Sequence, residues 1–325
     1  MQRRHLIALG SLAAPPLAAP TVHAQPAWPG RGPIRVIVPF TPGGATDGMA
    51  RVTVGKLQEK LGQTFVVENR AGANGAVGGQ AVAQATPDGY TFCFSASIQI
   101  LARLVMRNPN YDPVADLTPV IRTGQGPLLL IMHKARPENT LAEALASCRA
   151  NPRDWSFAVS SLGAAGHLAT IEFVRQAGVD IVQVPYRGTA PAITDVVAGN
   201  AKLMFDPILA TLPQHRSGAV KTLAITAAQR SPAAPDIPTA QEAGMPGLDI
   251  QSWWGLWGPR GLPAEISARI GEVMRTGMFE ADVRARVATL GIEPLAETAS
   301  DFAAFIQRDF TRSQELLRIA NFQPE

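Results

Sequence analysis

The sequence predicts an α/β protein with parallel-rich sheets flanked by helices. Short apolar strand patterns alternate with helical patterns along most of the chain, and Gly-rich turns join them. The first unit begins at Ile34, where IRVIV leads into the turn PFTPGGATD. Apolar residues then recur at helical spacing, at Ala50, Val54, Leu57 and Leu61. Ligands bind beyond the carboxyl ends of parallel strands, so these turns are the first candidates for a binding site.

Later units repeat this order of strand and helix. Pro191 fits the first turn of its helix and Gly199 fits a helix C-cap. The last hundred residues change to a Pro-rich connection and two helical runs, 264–290 and 300–320. The remaining strands are expected over 65–69, 90–96, 128–133, 156–161, 181–186 and 201–206, and the remaining helices over 76–85, 97–105, 139–150, 167–178 and 191–199.

The turn after the first strand has the composition of an anion site. Its glycines let a ligand approach backbone N–H groups that have no partner within the helix, and Thr46 or Asp47 is expected to cap that helix. An ordinary strand-to-helix turn with Asp47 as its N-cap explains the same residues. Both interpretations stay open from this segment alone.

The N-terminal residues predict export. Arg3 and Arg4 precede an uncharged stretch over 6–19, and small residues two apart precede a cleavage site after Ala24. We therefore expect a signal peptide over 1–24, too short and too rich in proline to span a bilayer. The arginine pair leaves both general and twin-arginine export open.

Charge and cysteine content bear on three possible properties: nucleic-acid binding, zinc binding and a disulfide. The full chain has a formal charge of +3, and the expected signal peptide carries two of the arginines and no acidic residue. No basic run interleaved with aromatic residues is present, so nothing predicts nucleic-acid binding. Two cysteines are too few for a zinc site. Export would permit a disulfide, but Cys93 and Cys148 lie in dissimilar segments and are expected to be separate buried thiols.

Several segments resemble enzyme motifs but lack residues that those motifs require. The segment AGANGAVGG is like a dinucleotide fingerprint, but Asn74 stands where a glycine is needed, and no acidic residue follows at the required spacing. A nucleophile elbow around Ser161 would need glycine at Val159, and the Gly-rich turns carry no P-loop lysine. No cofactor, metal or catalytic group is therefore predicted. The histidines after the signal peptide lack metal-pair spacing; they are His133, His167 and His215.

Five segments, in order and spacing, resemble the Bug family of periplasmic solute receptors, the binding components of tripartite tricarboxylate transporters. They are PIRVIVPFTPGGATDGMAR, VVENRAGANGAVGGQAVAQATPDGYT, SSLGAAGHLA, VPYRGTAPAITDVVAGNAKLMFD and LAITAAQRSPAAPDIPTAQEAGMPG. The resemblance covers nearly the whole mature chain. It implies a two-lobed type II periplasmic binding fold, with 25–124 and 228–325 as lobe 1, 125–227 as lobe 2, and the ligand cleft between them.

The resemblance also implies the site residues. In such receptors two Gly-rich turns, one from each lobe, hold a ligand carboxylate through backbone N–H groups. The first turn contributes Thr41, Pro42, Gly43, Gly44, Ala45 and Asp47, and the second contributes Ser160, Ser161, Gly163, Ala164 and Ala165. The other candidates are Ser95, Ser97, Tyr186, Arg187 and Asp206.

Four of these candidates have specified roles. Gly44 and Ala45 are the expected carboxylate donors. Asp206 would accept a hydrogen bond from a ligand hydroxyl, ammonium or bridging water, or else fix the turn before Pro207. Arg187 would meet a second carboxylate, or else be structural or solvent-facing.

Departures from the family pattern leave the ligand open among citrate, C4-dicarboxylates, acidic amino acids and aromatic carboxylates. Ala164 and Ala165 replace residues that are often Gly or Ser, and the loop after Ser95 also differs. The tryptophans of WWGLWGP are expected to pack rather than to stack on a ligand.

The resemblance implies a monomeric periplasmic receptor that captures a small organic carboxylate and delivers it to a membrane permease. A ligand-sensing module that signals to a membrane receptor is the alternative.

Overall fold

The structure is a computed structural model that describes residues 28–324. The expected signal peptide, 1–24, lies outside these residues. The strands are β1 Ile34–Val38, β2 Phe65–Asn69, β3 Thr91–Ala96, β4 Leu117–His133, β5 Ser156–Val159, β6 Val182–Pro185, β7 Leu203–Pro207, β8 Val220–Ile225, β9 Gln251–Pro259 and β10 Glu293–Glu297. The α-helices are α1 Ala45–Leu61, α2 Ala76–Ala83, α3 Ile98–Val105, α4 Leu141–Ala150, α5 Ala165–Ala177, α6 Thr189–Ala198, α7 Ile208–Arg216, α8 Ala264–Gly277, α9 Ala281–Thr289 and α10 Ala299–Ile319.

Hydrogen bonds link the strands in the order β2-β1-β3-β9-β4-β7-β5-β6, and β8 and β10 also pair with β4. The predicted α/β class is confirmed. The outer strands pair in parallel, β1 with β2 and β3, and β5 with β6 and β7. The central pairings of β4 and β9 are antiparallel. The sheet is therefore more mixed than strand–helix alternation indicated.

β4 connects the two halves of the sheet. Its first part, 117–127, pairs with β9, and its second part, 128–133, pairs with β7 and β8. The sequence predicted only 128–133 as strand, because Pro119, Gly124 and Gly126 interrupt the apolar pattern of the first part. Pairing with β9 on one side and with β10 on the other overrides that weak local preference.

The chain returns toward the first half of the sheet through β9. The connection 226–250 contacts elements of the second half: Ala240 donates its N–H to Ile225 O at 2.8 Å, and Gln176 on α5 donates to Pro246 O at 3.1 Å. We propose the two-lobe division with its second boundary near Gln251 rather than at 228. We keep the first boundary proposed from the family resemblance, between 124 and 125, which lies within β4.

Other local predictions differ in detail. The helical run 264–290 is two helices, α8 and α9, and β10 lies between 290 and the last helix, where no strand was predicted. Pro191 does lie in the first turn of α6, and Gly199 is its left-handed C-cap, with φ +83°. Within residues 28–324, no helix combines the length and apolarity needed to cross a bilayer.

Large aromatic residues fill the core. Trp254 and Trp257 on β9 are 0% and 1% exposed, which confirms a packing role. Trp253 meets Phe302 and Phe305 of α10 edge to face, at ring-centroid distances of 5.7 and 5.2 Å. Cys93 and Cys148 are both buried and unbridged, as predicted.

A buried lysine ties α1 to the segment after α8. The side chain of Lys56 is 4% exposed, and its ammonium donates to Glu59, Glu280 and Asp282 at 2.7–3.2 Å. These hydrogen bonds, the one to Glu59 foremost, raise the pKa of Lys56. Because α1 starts at the Gly-rich turn, this cluster helps to fix the direction of the helix.

We expect Lys56→Met to lower the free energy of unfolding by about 1–3 kcal/mol, since three carboxylates lose a buried cation. Urea denaturation measures this loss. Lys60→Met is the matched control: Lys60 lies one turn away, is 31% exposed and pairs with Glu280, so its loss should cost less than the loss of Lys56. Equal losses in the two variants would contradict a special role for Lys56.

Candidate functional site

A cavity of about 40 Å³ lies where the two Gly-rich turns face each other. The first turn contributes Thr41, Gly44 and Ala45 to its wall, and the second contributes Ser160, Ser161, Ala164 and Ala165. Ser97 and Asp206 complete the part of the wall that the sequence predicted. Within residues 28–324, no lysine or arginine lines this cavity.

Helix N-termini surround the cavity. Residues that start or cap five helices lie on its wall, at the N-termini of α1, α3, α5, α6 and α7. The N-terminus of a helix carries about half a positive charge and presents N–H groups without intrahelical partners. These N-termini direct partial positive charge toward a cavity whose described lining has no cationic side chain, an arrangement that suits an anion.

The N-termini of α1 and α5 are built alike. Each is preceded by a left-handed glycine, Gly43 with φ +82° and Gly163 with φ +80°, and each has an extended N-cap, Gly44 or Ala164. Neither helix has a side-chain cap. The prediction that Thr46 or Asp47 caps α1 is therefore wrong, because the helix begins two residues before Asp47.

The two turns are also braced in the same way. Gly43 donates its N–H to Asp47 Oδ2 at 3.0 Å, and Gly163 donates its N–H to His167 Nδ1 at 3.0 Å. Asp47 and His167 are both the third residue of their helices. The glycine donors are thus satisfied internally, while the first N–H groups of α1 and α5 stay available to a ligand.

Both acceptor side chains, Asp47 and His167, are in an ionisation state that lets them accept a hydrogen bond. Burial acts to raise the pKa of Asp47, but hydrogen bonds from Arg51, Gly43 and Asn69 outweigh it and hold the pKa below the usual range. Burial lowers the pKa of His167 to about 4, so the imidazole is neutral near pH 7. Since Nδ1 accepts from Gly163, the proton resides on Nε2.

Asp206 is the one carboxyl group among the described residues that line the cavity. It is 1% exposed, and its Oδ1 accepts from Ser160 Oγ at 2.9 Å. Its Oδ2 has no hydrogen-bond partner among residues 28–324. Burial raises the pKa of Asp206 to about 7, and the neighbouring Thr189 and Ser160 hydroxyls oppose the rise. The free oxygen can accept from a ligand donor or from water.

Two hydroxyl groups on the cavity wall also lack a hydrogen-bond partner among the described residues. Thr41 Oγ1 and Ser97 Oγ are buried on the cavity wall and find no partner in the described part of the chain. Buried polar groups are normally hydrogen-bonded, so unpaired groups that converge on one cavity point to a polar occupant. With Asp206 Oδ2 they provide side-chain contacts beside the backbone donors.

The first Gly-rich turn lies close to the start of α6. A Cβ atom added at Gly44 would lie 3.6 Å from Thr189 Cβ, and one added at Gly188 would lie 2.8 Å from Thr41 Oγ1. Thr41 and Gly44 precede α1, whereas Gly188 and Thr189 begin α6. Elements from both halves of the sheet therefore meet at the cavity.

Seven predicted site residues do not line this cavity. Asp47 and Gly163 support the turns as described, and Tyr186 Oη donates instead to Asp195 Oδ2 at 2.6 Å. Arg187 is exposed and, with Tyr186, lines a separate cavity of about 30 Å³. The residues off the wall are Pro42, Gly43, Asp47, Ser95, Gly163, Tyr186 and Arg187.

The wall also contains residues that sequence reasoning missed. The start of α6 could have been found, because Pro191 in its first turn places the helix N-terminus at Gly188 and Thr189. Ser252 comes from β9, where no local signal marks it. The missed residues are Phe40, Thr46, Ala96, Ile98, Gly166, Gly188, Thr189, Pro207 and Ser252.

The buried histidine makes stability depend on pH. The pKa of His167 is about 4 in the folded protein and about 6.5 in the unfolded chain. Between pH 4 and pH 6.5 the imidazole is therefore protonated in the unfolded chain but neutral in the folded protein. At pH 7 we expect the wild-type protein to have a larger free energy of unfolding than His167→Gln. This excess of the wild-type value over the variant value should shrink by up to about 3 kcal/mol as the pH falls from 6.5 to 4.

Chemical denaturation at a series of pH values measures this excess. His215→Gln removes a histidine outside the site and should keep the wild-type dependence. A constant difference between wild type and His167→Gln across this range would contradict a neutral, buried His167.

Comparison with known proteins identifies the family. A family model described as the tripartite tricarboxylate transporter family receptor, TctC, matches residues 49–322. BugT of Bordetella pertussis is 34% identical over 314 residues, covering 96% of this chain and 94% of BugT.

Solved structures are also similar. Rpa4515 of R. palustris, solved with adipate, is 35% identical with a TM-score of 0.88, covering 92% of this chain and 100% of that one. MatC of Rhodopseudomonas palustris, with bound malate, is 32% identical with a TM-score of 0.83, covering 89% and 99%. The periplasmic binding protein BugD is 32% identical with a TM-score of 0.86, covering 91% and 99%.

These relatives each cover 89–96% of this chain. They confirm the expected periplasmic-binding-protein fold and a receptor rather than an enzyme. The chain belongs to the tripartite tricarboxylate transporter receptor family, which was expected from the Bug-like segments.

Proposed function

We propose that this protein is a periplasmic receptor that closes over a small organic carboxylate and delivers it to a tripartite tricarboxylate-type transporter. One observation carries the ligand class: the uncapped N-termini of α1 and α5 face one cavity that has no cation among its described lining residues. Adipate in Rpa4515 and malate in MatC, both carboxylates, support the same class.

The geometry of the cavity supports four backbone donors for the carboxylate. Ala45 and Thr46 of α1, and Ala165 and Gly166 of α5, are the first two residues of their helices and lie on the wall. Their N–H groups would donate to the carboxylate, and both helix dipoles favour its negative charge. Because one turn comes from each half, the ligand stabilises the closed state by binding both halves together.

The family match supports the proposed location and partner. Its description names a transporter receptor, and the expected signal peptide over 1–24 would direct the chain to the periplasm. Transfer to a permease is tested by uptake into vesicles that contain the permease encoded nearest to the receptor. Ligand uptake that requires the receptor would support delivery, whereas a closed receptor that changes only the activity of a sensor would contradict it.

Thermal unfolding of the processed protein against a ligand panel tests the binding class. The panel should contain adipate, malate, citrate, acidic amino acids and aromatic carboxylates, each paired with its uncharged amide. A ligand at about a thousand times its dissociation constant adds roughly 4 kcal/mol, which raises the midpoint by several degrees. We expect shifts for one or more carboxylates and none for their amides.

Co-purified ligand should first be removed by denaturation and refolding. Equal shifts for an acid and its amide would contradict recognition of the carboxylate charge. The absence of any shift after this step would count against a carboxylate receptor.

Ala164→Asp provides a prediction specific to this site. Ala164 is the N-cap of α5 with φ −67° and ψ 157°, a conformation in which an aspartate side chain bonds the free helix N–H groups. We expect the unliganded protein to gain about 0.5–2 kcal/mol in unfolding free energy, because the new carboxylate caps the helix. We expect ligand affinity to fall at least about tenfold, because the same carboxylate occupies the donors and repels the ligand.

Calorimetry and urea denaturation measure the two effects of this substitution. Ala164→Asn is the matched control, since it caps without charge and should weaken binding less. Retained affinity in Ala164→Asp would show that the α5 N-terminus does not hold the ligand.

A further inference from the structure

The cavity between the turns is too small for a whole dicarboxylate. Its volume of about 40 Å³ holds about three water-sized groups, enough for one carboxylate end. A second cavity of about 540 Å³ lies beside it, and Ser97 and Ala165 line both. That volume is within the usual range for ligand pockets. The remainder of a ligand therefore has a place next to the carboxylate site.

The second cavity also lies between the two halves of the molecule. Gln125 of β4 and Gln251 of β9 belong to the strands that connect them, and both line the cavity. Glu172 comes from α5 on one side, and Asp309 comes from α10 on the other. Closure of the halves on a ligand would therefore shape both cavities together.

The lining combines apolar surface with an unpaired hydroxyl at the junction. Ser97 is 3% exposed, and its Oγ finds no hydrogen-bond partner within residues 28–324. Such a group points to a polar ligand atom close to where the cavities meet. The apolar part, which suits a methylene chain, is formed by Leu168, Ile250, Trp253, Phe305, Leu316 and Ile319.

The charge of this second cavity is negative. Its described lining contains four carboxylates, Glu172, Asp249, Asp309 and Glu315, and one guanidinium, Arg312. Three of the carboxylates have arginine partners: Arg312 pairs with Asp249 at 2.7 Å, Arg175 with Glu172 at 2.6 Å, and Arg318 with Glu315 at 2.7 Å.

Asp309 is different from the other three. It forms no ion pair in the described part of the chain, and its Oδ2 accepts only from Trp253 Nε1, at 3.1 Å. Burial raises the pKa of Asp309, against hydrogen bonding by Trp253 and the charges of Arg312 and Arg122. A cationic ligand group would compensate this carboxylate, and an anionic one would be repelled.

We propose that the ligand spans both cavities, with its carboxylate at the N-termini of α1 and α5 and its far end beside Asp309, so that the receptor prefers ω-amino carboxylates to dicarboxylates of equal length. This inference rests on the proposed carboxylate function and specifies the other end of the ligand. The ammonium end meets Asp309, and the methylene chain lies along the apolar lining.

Three six-carbon ligands test the preference, because they differ only at the far end: 6-aminohexanoate, hexanoate and adipate. We expect titration calorimetry at pH 7 to rank their affinities in that order, with a difference of at least about tenfold between the first and the last. Adipate binding as tightly as 6-aminohexanoate, or more tightly, would overturn the inference and leave the carboxylate function intact. Binding of none of the three would count against both.

Asp309→Asn tests the assigned residue. The asparagine oxygen can still accept from Trp253, while the negative charge is removed. We expect the ratio of 6-aminohexanoate to adipate affinity to fall about tenfold, and hexanoate affinity to change less than about twofold. Glu272→Gln is the matched control, because Glu272 is exposed on α8 and lines neither cavity. An unchanged ratio in Asp309→Asn would overturn the role of Asp309.

Discussion

Gly43 and Gly163 each donate a backbone N–H to the side chain four residues later, and the binding site depends on this pair of contacts. Both glycines have positive φ, which turns the chain sharply from a strand into a helix. The acceptors, Asp47 and His167, satisfy the turn without reaching the first helical N–H groups. A carboxylate and an imidazole thus have the same effect. Each half of the molecule has one rigid turn whose first helical N–H groups stay free.

The long strand β4 determines how these two turns meet. It pairs with β9 in one half of the sheet and with β7 and β8 in the other, so both halves are built on one continuous strand. Thr226 adds a link beside it, donating its N–H to Leu128 O at 2.9 Å and its Oγ1 to Ile250 O at 2.6 Å. We therefore propose that the halves bend near these residues when they close over a ligand.

Local sequence signals identified the elements but not every pairing. Strand and helix patterns located β1, α1 and the Gly-rich turns, because apolar periodicity and glycine chemistry act over a few residues. The first part of β4, the break between α8 and α9, and the contribution of Ser252 depend on contacts distant in sequence. The role of Asp47 was misjudged partly for a related reason: Arg51 lies on α1 itself, but the other side-chain partner, Asn69, comes from β2.

Amide chemical shifts measured during a ligand titration test the central claim most directly. If helix N-termini hold the carboxylate, the amide protons of Ala45, Thr46, Ala165 and Gly166 should move downfield with a carboxylate ligand and not with its amide analogue. Shifts at arginine side chains, with these four amides unchanged, would contradict the claim. Such a result would show that the carboxylate is held by cationic side chains, away from the two turns.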